Sequence, residues 1–199
     1  MIKEEIAPGI VVYSNVIPNS ENLYKDIEEG LVSANLEWQQ ASVKEIDTPK
    51  VNTNTRDTHT FGVDYLGKVD DSTPLSLSEF FLLSLNNIFF KSFDPVEKDY
   101  MASYAMFADS HDSYGILKYG KGQKFTNHID DHKDYHRRVS TVYYLNDNYK
   151  GGEINFPRFN IKFKPKANQM IIFPSTYVYN HSVSEVTEGF RYAVVSWMK

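Results

Sequence analysis

His128 and Asp130 stand two residues apart in Phe125-Thr126-Asn127-His128-Ile129-Asp130, and a second histidine, His181, and an arginine, Arg191, follow further along the chain. In a strand, residues i and i+2 project to the same face. The spacing therefore predicts an imidazole and a carboxylate side by side. With His181 added, two imidazoles and one carboxylate can occupy one face of an octahedral divalent metal and leave its other positions open. Arg191 falls inside the apolar run Phe190-Arg191-Tyr192-Ala193-Val194-Val195-Ser196-Trp197. A guanidinium in a buried strand is costly unless a carboxylate meets it. Where no protein carboxylate does so, a bound acid is the natural partner, and the planar guanidinium fork suits bidentate recognition.

These residues must be held by elements the sequence also outlines. Pro8-Gly9 followed by Ile10-Val11-Val12-Tyr13 reads as a turn and a first strand. Pro18-Asn19-Ser20 opens a helix with Asn19 or Ser20 as N-cap and Leu23, Ile27 and Leu31 on its apolar face. Gly30 weakens its last turn, and Trp38 to Val43 reads as a second strand. Asp47 to Thr60 is polar throughout and reads as a long loop, either a flap over a pocket or plain surface. Thr73-Pro74 leads into a long apolar helix from Leu75 that Asp94-Pro95 ends, with a second short helix before Tyr104.

From Tyr114 onward short strands with close turns take over. They are Gly115 to Tyr119, Phe125 to Asp130, Arg138 to Leu145, Glu153 to Phe156, Asn160 to Phe163, Gln169 to Phe173, His181 to Val186 and Phe190 to Trp197. In Arg138 to Leu145 both alternating faces are largely apolar, so this strand belongs between two layers. The even spacing predicts a sandwich or barrel. There are no repeats and no domain boundary, so 1–199 is read as a single domain.

Composition narrows the class. A chain of 199 residues can bury a sizeable core, and 15% aromatic residues, with 14 Tyr and 13 Phe, favour a β-rich, aromatic-lined interior. The absence of cysteine excludes disulfides, thiolate metal sites and a cysteine nucleophile. A net charge of −5 does not favour dense phosphate contacts, which speaks against a nucleic-acid partner. Lys118, Lys121, Lys124, Arg137 and Arg138 nevertheless cluster around the metal motif in sequence, either as a basic strip or as ordinary surface lysines and arginines. No signal peptide, no apolar run near the ~20 residues of a membrane helix and no retention signal are seen, so a cytoplasmic location and no membrane partner are expected.

The ordered motifs resemble those of the Fe(II)/2-oxoglutarate-dependent dioxygenases, most closely the prolyl 4-hydroxylase-like branch. The resemblance rests on Tyr119-Gly120-Lys121-Gly122, His128-Ile129-Asp130, Arg137 to Asp147, Gly151-Gly152-Glu153-Ile154-Asn155-Phe156-Pro157, Pro165-Lys166-Ala167-Asn168, His181-Ser182-Val183 and Gly189-Phe190-Arg191-Tyr192 through Trp197. It implies a mainly β fold with supporting helices (α+β): a double-stranded β-helix, or jelly roll, mainly over 104–199, packed by helices mainly within 18–103. It implies Fe(II) held by His128, Asp130 and His181, with 2-oxoglutarate as cosubstrate and O2 as oxidant. Ascorbate is a possible accompanying reductant. Arg191 would pair with the far carboxylate of 2-oxoglutarate, assisted by Tyr144 and Tyr119. Arg137 and Trp197 match positions on the substrate side of that branch. For Arg191, Tyr144 and Tyr119, core packing with satisfied polar atoms is the plain alternative. For Arg137 it is a solvated charge, and for Trp197 a core aromatic.

The resemblance further implies oxidative decarboxylation of 2-oxoglutarate to succinate coupled to hydroxylation of an unactivated C–H bond. Members that halogenate lack the carboxylate that Asp130 supplies. Peptidyl proline in a peptide or protein partner is the expected substrate. A free amino acid or other small molecule, and a zinc-binding jelly roll without oxygenase activity, are the alternatives. Nucleic-acid demethylases of the superfamily carry a second arginine six residues after the first, and Trp197 stands there instead. His128, His132 and His136 would form one stripe on a helix, but the polar Lys133-Asp134 between them and the missing apolar period argue against one. His59 and His111 lie in polar stretches and read as solvated.

Overall fold

The computed structural model describes residues 1–45, 48–63, 75–108, 110–133 and 136–199, with the side chains of 44, 45, 48 and 49 left aside. Two strands, β1 (Ile2–Ala7) and β2 (Ile10–Ser14), precede helix α1 (Leu23–Ser33). Short strands β3 (Gln39–Gln40), β4 (Val43–Glu45), β5 (Thr48–Lys50) and β6 (His59–Val63) lead to the long helix α2 (Leu77–Ser103). Ten strands follow. They are β7 (Tyr114–Tyr119), β8 (Phe125–His128), β9 (Val139–Tyr144), β10 (Lys150–Gly151), β11 (Ile154–Phe156), β12 (Ile161–Phe163), β13 (Gln169–Pro174), β14 (His181–Val183), β15 (Val186–Glu188) and β16 (Arg191–Met198).

The strands form two facing layers. The major sheet has the order β1-β2-β13-β9-β16-β7-β6-β3, and the minor sheet the order β12-β11-β14-β8. Every pairing in them is antiparallel. The mainly β jelly roll with supporting helices expected from the sequence is therefore the fold observed. Strand alternation divides the core in two. Tyr143, Tyr192 and Val194 face the helices, where they meet Phe89, Phe93 and Tyr100 of α2 and Leu23, Ile27 and Leu31 of α1. Val142, Tyr144, Ala193 and Val195 face the minor sheet and join Ile154, Phe156 and Val183. Both faces of β9 are buried along its whole length, as its double apolar pattern requires.

The helices depart from the sequence reading in two places. Asn19 sits at φ 55, a left-handed position, and α1 starts at Leu23 with Asn22 at the cap and no side-chain cap bond. Helix α2 does not stop at Pro95. Its buried stripe of Leu85, Phe89, Phe93, Val96, Glu97 and Tyr100 runs straight through, and burial of that stripe outweighs the backbone hydrogen bond proline forfeits. Thr73-Pro74 lie outside the described residues. The N-terminus of α2 is fixed by a capping box in which Glu79 N–H donates to Ser76 Oγ (3.3 Å) and Ser76 N–H donates to Glu79 Oε2 (2.8 Å). Gly30 serves packing more than it weakens a helix. A Cβ there would lie 2.2 Å from the Phe81 ring, so glycine lets α1 approach α2 closely.

Other segments also differ. Strand β1 went unread because Lys3, Glu4 and Glu5 obscure any apolar alternation. It is a charged sheet edge, with Lys3 ion-paired to Asp99 (2.6 Å) and Glu5 accepting from Tyr104 (2.6 Å). Trp38 to Val43 gives two separate short strands, β3 and the start of β4. Of the expected loop from Asp47 to Thr60, Asp47 lies outside the described residues. The rest contains β5, a turn and the start of β6. His181 to Val186 divides into β14 and β15. Lys118 is turned away from the metal motif, bonded to Glu28 (2.5 Å) on the helix side of the sheet. His111 is not solvated, since it pairs with the buried Glu97 (3.2 Å), and His59 is half-buried within β6.

Candidate metal centre

The register of the minor sheet sets the site. His181 of β14 lies directly opposite His128 of β8, and their ring centroids are 4.2 Å apart. Strand β8 ends at His128, so Asp130 reaches the same space from a bend beyond the strand rather than from i, i+2 alternation within it. Its Oδ1 lies 3.6 Å from His128 Nε2 and its Oδ2 3.8 Å from His181 Nε2. One ligand atom from each of the three falls within 4.8 Å of the others.

Each group is oriented by a neighbour. His128 Nδ1 is 2.8 Å from the Thr126 carbonyl and His181 Nδ1 is 3.1 Å from the Tyr179 carbonyl. A carbonyl can only accept, so both imidazoles carry a proton on Nδ1 and turn Nε2 toward Asp130 and the shared space. The His128 ring is stacked on Phe125 at 3.6 Å between centroids. Ser140 Oγ donates to Asp130 Oδ2 (2.7 Å) and is itself bonded to Ser175 (2.8 Å). Burial, then the neighbouring His181, push the His128 pKa well below the ordinary imidazole value. For Asp130, burial acts to raise the pKa. The two imidazoles and the hydrogen bonds from Ser140 and Trp197 outweigh it and hold the carboxyl below its usual range. Neutral imidazole beside ionised carboxylate is the protonation state a hard or borderline divalent metal requires.

Beside this trio, Arg191 projects from the first position of β16, opposite Tyr119 of β7. It is 1% exposed, and among the described residues no hydrogen-bond partner meets its Nε or Nη1. Tyr119 and Tyr144 flank it, with ring centroids 4.9 and 5.1 Å from its guanidinium carbon. The hydroxyls of Tyr144 and Tyr149 are buried without partners too. Gly152, at φ 65, makes room, because a Cβ there would stand 2.9 Å from Arg191 Cδ and 3.0 Å from the Tyr149 ring. A buried guanidinium faced by tyrosine hydroxyls but, among the described residues, by no carboxylate would cost several kcal/mol if nothing were bound against it. These groups suit a carboxylate.

A cavity of about 650 Å³ joins these parts, lined by His128, Asp130, His181, Tyr119, Arg137, Arg191 and Trp197 among others. Arg137 stacks on Trp197 with its guanidinium carbon 3.5 Å from the ring centroid, and its Nε donates to Asp112 (3.3 Å). Arg137 is not freely solvated, while Trp197, half-buried, packs against the inter-sheet core as well as lining the cavity. Among the described residues around His128 and His132 there is no helix, and His132 lines the cavity from an extended segment. Sequence reasoning missed four contributors: Phe125 as a platform, Ser140 as the orienter of Asp130, Tyr149 beside Arg191, and Arg56, which also lines the cavity. Only Tyr149 carried a local signal, through its place just before Gly151-Gly152.

The sequence profile of the 2OG-Fe(II) oxygenase superfamily matches residues 114–199, the span that carries every residue of the metal trio and the Arg191 pocket. A PKHD-type hydroxylase of Prochlorococcus marinus (strain MIT 9215) is 41% identical over 85 residues, which is 40% of this chain and 38% of that protein. Human prolyl 3-hydroxylase 2 is 39% identical over 66 residues, 31% of this chain and 9% of that one. The chain thus spans about two fifths or less of the curated relatives it matches. Among solved structures, a Pseudomonas putida prolyl-4-hydroxylase superposes with TM-score 0.67 at 17% identity, covering 96% of this chain and 92% of its own. A prolyl hydroxylase from Trichoplax adhaerens, in complex with a hypoxia inducible factor peptide fragment, gives 0.68 at 16% identity, covering 96% and 83%. Those two likenesses concern the fold. Over 114–199, then, this chain is similar in sequence to the 2OG-Fe(II) oxygenase superfamily.

Proposed function

We propose that this protein is an Fe(II)- and 2-oxoglutarate-dependent dioxygenase that hydroxylates an unactivated C–H bond, with peptidyl proline as substrate. The observation that carries the reading is Arg191, a buried guanidinium with unmatched donors beside two imidazoles and a carboxylate. A zinc site without oxygenase activity would account for the trio but would leave Arg191 without a role. Support for proline comes from the relatives, which are prolyl and PKHD-type hydroxylases.

In this reading His128 Nε2, Asp130 and His181 Nε2 hold the metal, and Arg191 holds the far carboxylate of 2-oxoglutarate with help from Tyr144 and Tyr119. Bound iron with 2-oxoglutarate and O2 supplies the oxidation: the cosubstrate loses CO2 and becomes succinate with one oxygen atom, and the other enters the C–H bond. The protein's own work is placement. The Nδ1–H bonds to Thr126 and Tyr179 keep both imidazoles turned inward, and Ser140 fixes the carboxylate. The apolar walls, including Leu117, Val142, Ile154, Val183 and Val195, limit water near the reacting atoms. Arg137 on Trp197 forms one side of the cavity and contacts the incoming substrate. O2 would be the oxidant and ascorbate would serve as an external reductant for the iron, and the partner is a proline-containing peptide or protein.

Proline-rich peptides incubated with the protein, Fe(II), 2-oxoglutarate and air test this by mass spectrometry. Gain of one oxygen atom that requires proline and is lost in His181→Ala is the expected result. Turnover of 2-oxoglutarate with hydroxylation of a free amino acid instead would move the substrate class. Absence of 2-oxoglutarate turnover with every substrate would overturn the reading.

A further inference from the structure

Arg56 is a cation at the cavity that the mechanism above does not use. It stands before the profile-matched span, yet backbone bonds pin it to the strand bearing His128. Thr126 N–H donates to the Thr55 carbonyl (2.8 Å), Asp57 N–H donates to the Lys124 carbonyl (2.9 Å), and Arg56 forms a bridge with Phe125. Its guanidinium lies over the Phe125 ring at 5.0 Å, and Phe125 in turn stacks on His128. Nη1 donates to the Ser42 carbonyl (3.0 Å), Nε is buried without a partner, and among the described residues no carboxylate pairs with it.

The other charged side chains lining the cavity have partners among the described residues. Arg137 pairs with Asp112. Asp131 accepts the backbone N–H of His132 (3.0 Å) and of Arg137 (3.1 Å) and lies 3.5 Å from His136. In the proposed loaded site the divalent metal, Asp130, the dicarboxylate cosubstrate and Arg191 cancel one another. Arg56 is left over, a guanidinium held on an aromatic platform at the cavity wall. A fixed guanidinium with spare donors recognises a carboxylate above other groups. We propose that Arg56 is a specificity-determining residue that binds a carboxylate carried by the substrate, either an acidic side chain flanking the target residue or the α-carboxylate of a free amino acid or chain end. The proposal rests on the oxygenase reading for what fills the rest of the cavity.

Binding without turnover tests it. The full chain, loaded anaerobically with Fe(II) and 2-oxoglutarate, is titrated with two pairs of probes: proline-centred peptides alike except for Glu or Gln beside the proline, and N-acetylproline with its carboxyl free or amidated. The carboxylate member of at least one pair should bind about tenfold tighter or more, the scale of a charge-assisted hydrogen bond. Which pair responds identifies the source of the carboxylate. The preference should vanish in Arg56→Gln, survive in part in Arg56→Lys, and reverse toward a Lys-bearing peptide in Arg56→Glu, with melting curves verifying that each variant folds. Equal binding within both pairs overturns the proposal even if no variant folds, and so does a preference that persists in Arg56→Gln. Turnover of 2-oxoglutarate in air is scored separately, so carboxylate selection with no turnover on any substrate would sink the oxygenase reading alone, and turnover without selection would sink this inference alone.

Discussion

At the scale of single residues, three side chains are held in place by groups with no other evident task. His128 and His181 each give up one ring nitrogen to a carbonyl, and Ser140 bonds Asp130 rather than a backbone group. Such supporting contacts typically contribute tenfold to a hundredfold in metal affinity. Ser140→Ala is therefore expected to weaken Fe(II) binding by about that factor while the melting temperature changes little, a split that metal titration beside thermal denaturation would detect. Arg191 behaves in the opposite sense. Because its charge is buried and, among the described residues, meets no carboxylate, Arg191→Met should leave the ligand-free protein at least as stable, yet abolish measurable 2-oxoglutarate binding. A ligand-free melting temperature that falls by many degrees in Arg191→Met would mean the guanidinium has a protein partner after all. His128, Asp130, His181 and Arg191 were legible from the sequence because metal ligands and a cation in an apolar run stand out by type. Arg56, the Phe125 platform and the bond from Ser140 to Asp130 were not legible, since nothing in an arginine of a polar stretch or a serine of a strand says which distant group it will meet.

At the scale of elements, the long core strands were easier to bound than the helices. Strand β9 and strand β16 announce themselves through β-branched and aromatic runs, and their observed bounds differ from expectation by a residue or so. The end of α2 was misplaced because a local signal, Pro95, was weighed against a stripe whose burial depends on partners distant in sequence, Tyr114 and Tyr143 among them. The ring of Phe93 is fully buried between them, and Phe93→Ala should cost about 3–5 kcal/mol in urea unfolding. Exposed Pro95 forfeits a helical hydrogen bond with no visible return, so Pro95→Ala should stabilise the protein by about 1–3 kcal/mol. Beneath the same helix, His111 faces Glu97 of α2, Asp112, the Ser196 hydroxyl of β16 and the ring of Tyr114. Burial alone would lower the His111 pKa, but the hydrogen bond and charge of Glu97, with Asp112, raise it above the ordinary value. A folded pKa above the unfolded one, about 6.5, gives stability that is complete below that unfolded value and is lost as pH rises through the folded one. Unfolding free energy measured from pH 6 to pH 9 should thus carry a falling component that His111→Gln removes.

At the scale of the whole molecule, the two packed layers explain why the site can be both rigid and open. The helix-side core of Phe89, Phe93, Tyr100, Tyr143 and Tyr192 is dense and holds the major sheet. The inter-sheet space is only partly filled, and the 650 Å³ cavity lies where the minor sheet brings β8 and β14 together. The layered arrangement was readable from strand spacing. The convergence of His128 with His181 was expected from the family resemblance and not from spacing, because it depends on the register of two short strands far apart in the chain. No helix among the described residues is long and apolar enough to cross a membrane. The most direct measurement is anaerobic calorimetric titration with Fe(II) and then 2-oxoglutarate, on the unaltered chain, Asp130→Ala and Arg191→Met. The expected result is one equivalent of metal bound by the unaltered chain and by Arg191→Met but not by Asp130→Ala, with 2-oxoglutarate bound only where both the metal and Arg191 are present. Tight metal binding by Asp130→Ala, or unchanged 2-oxoglutarate affinity in Arg191→Met, would contradict the site described.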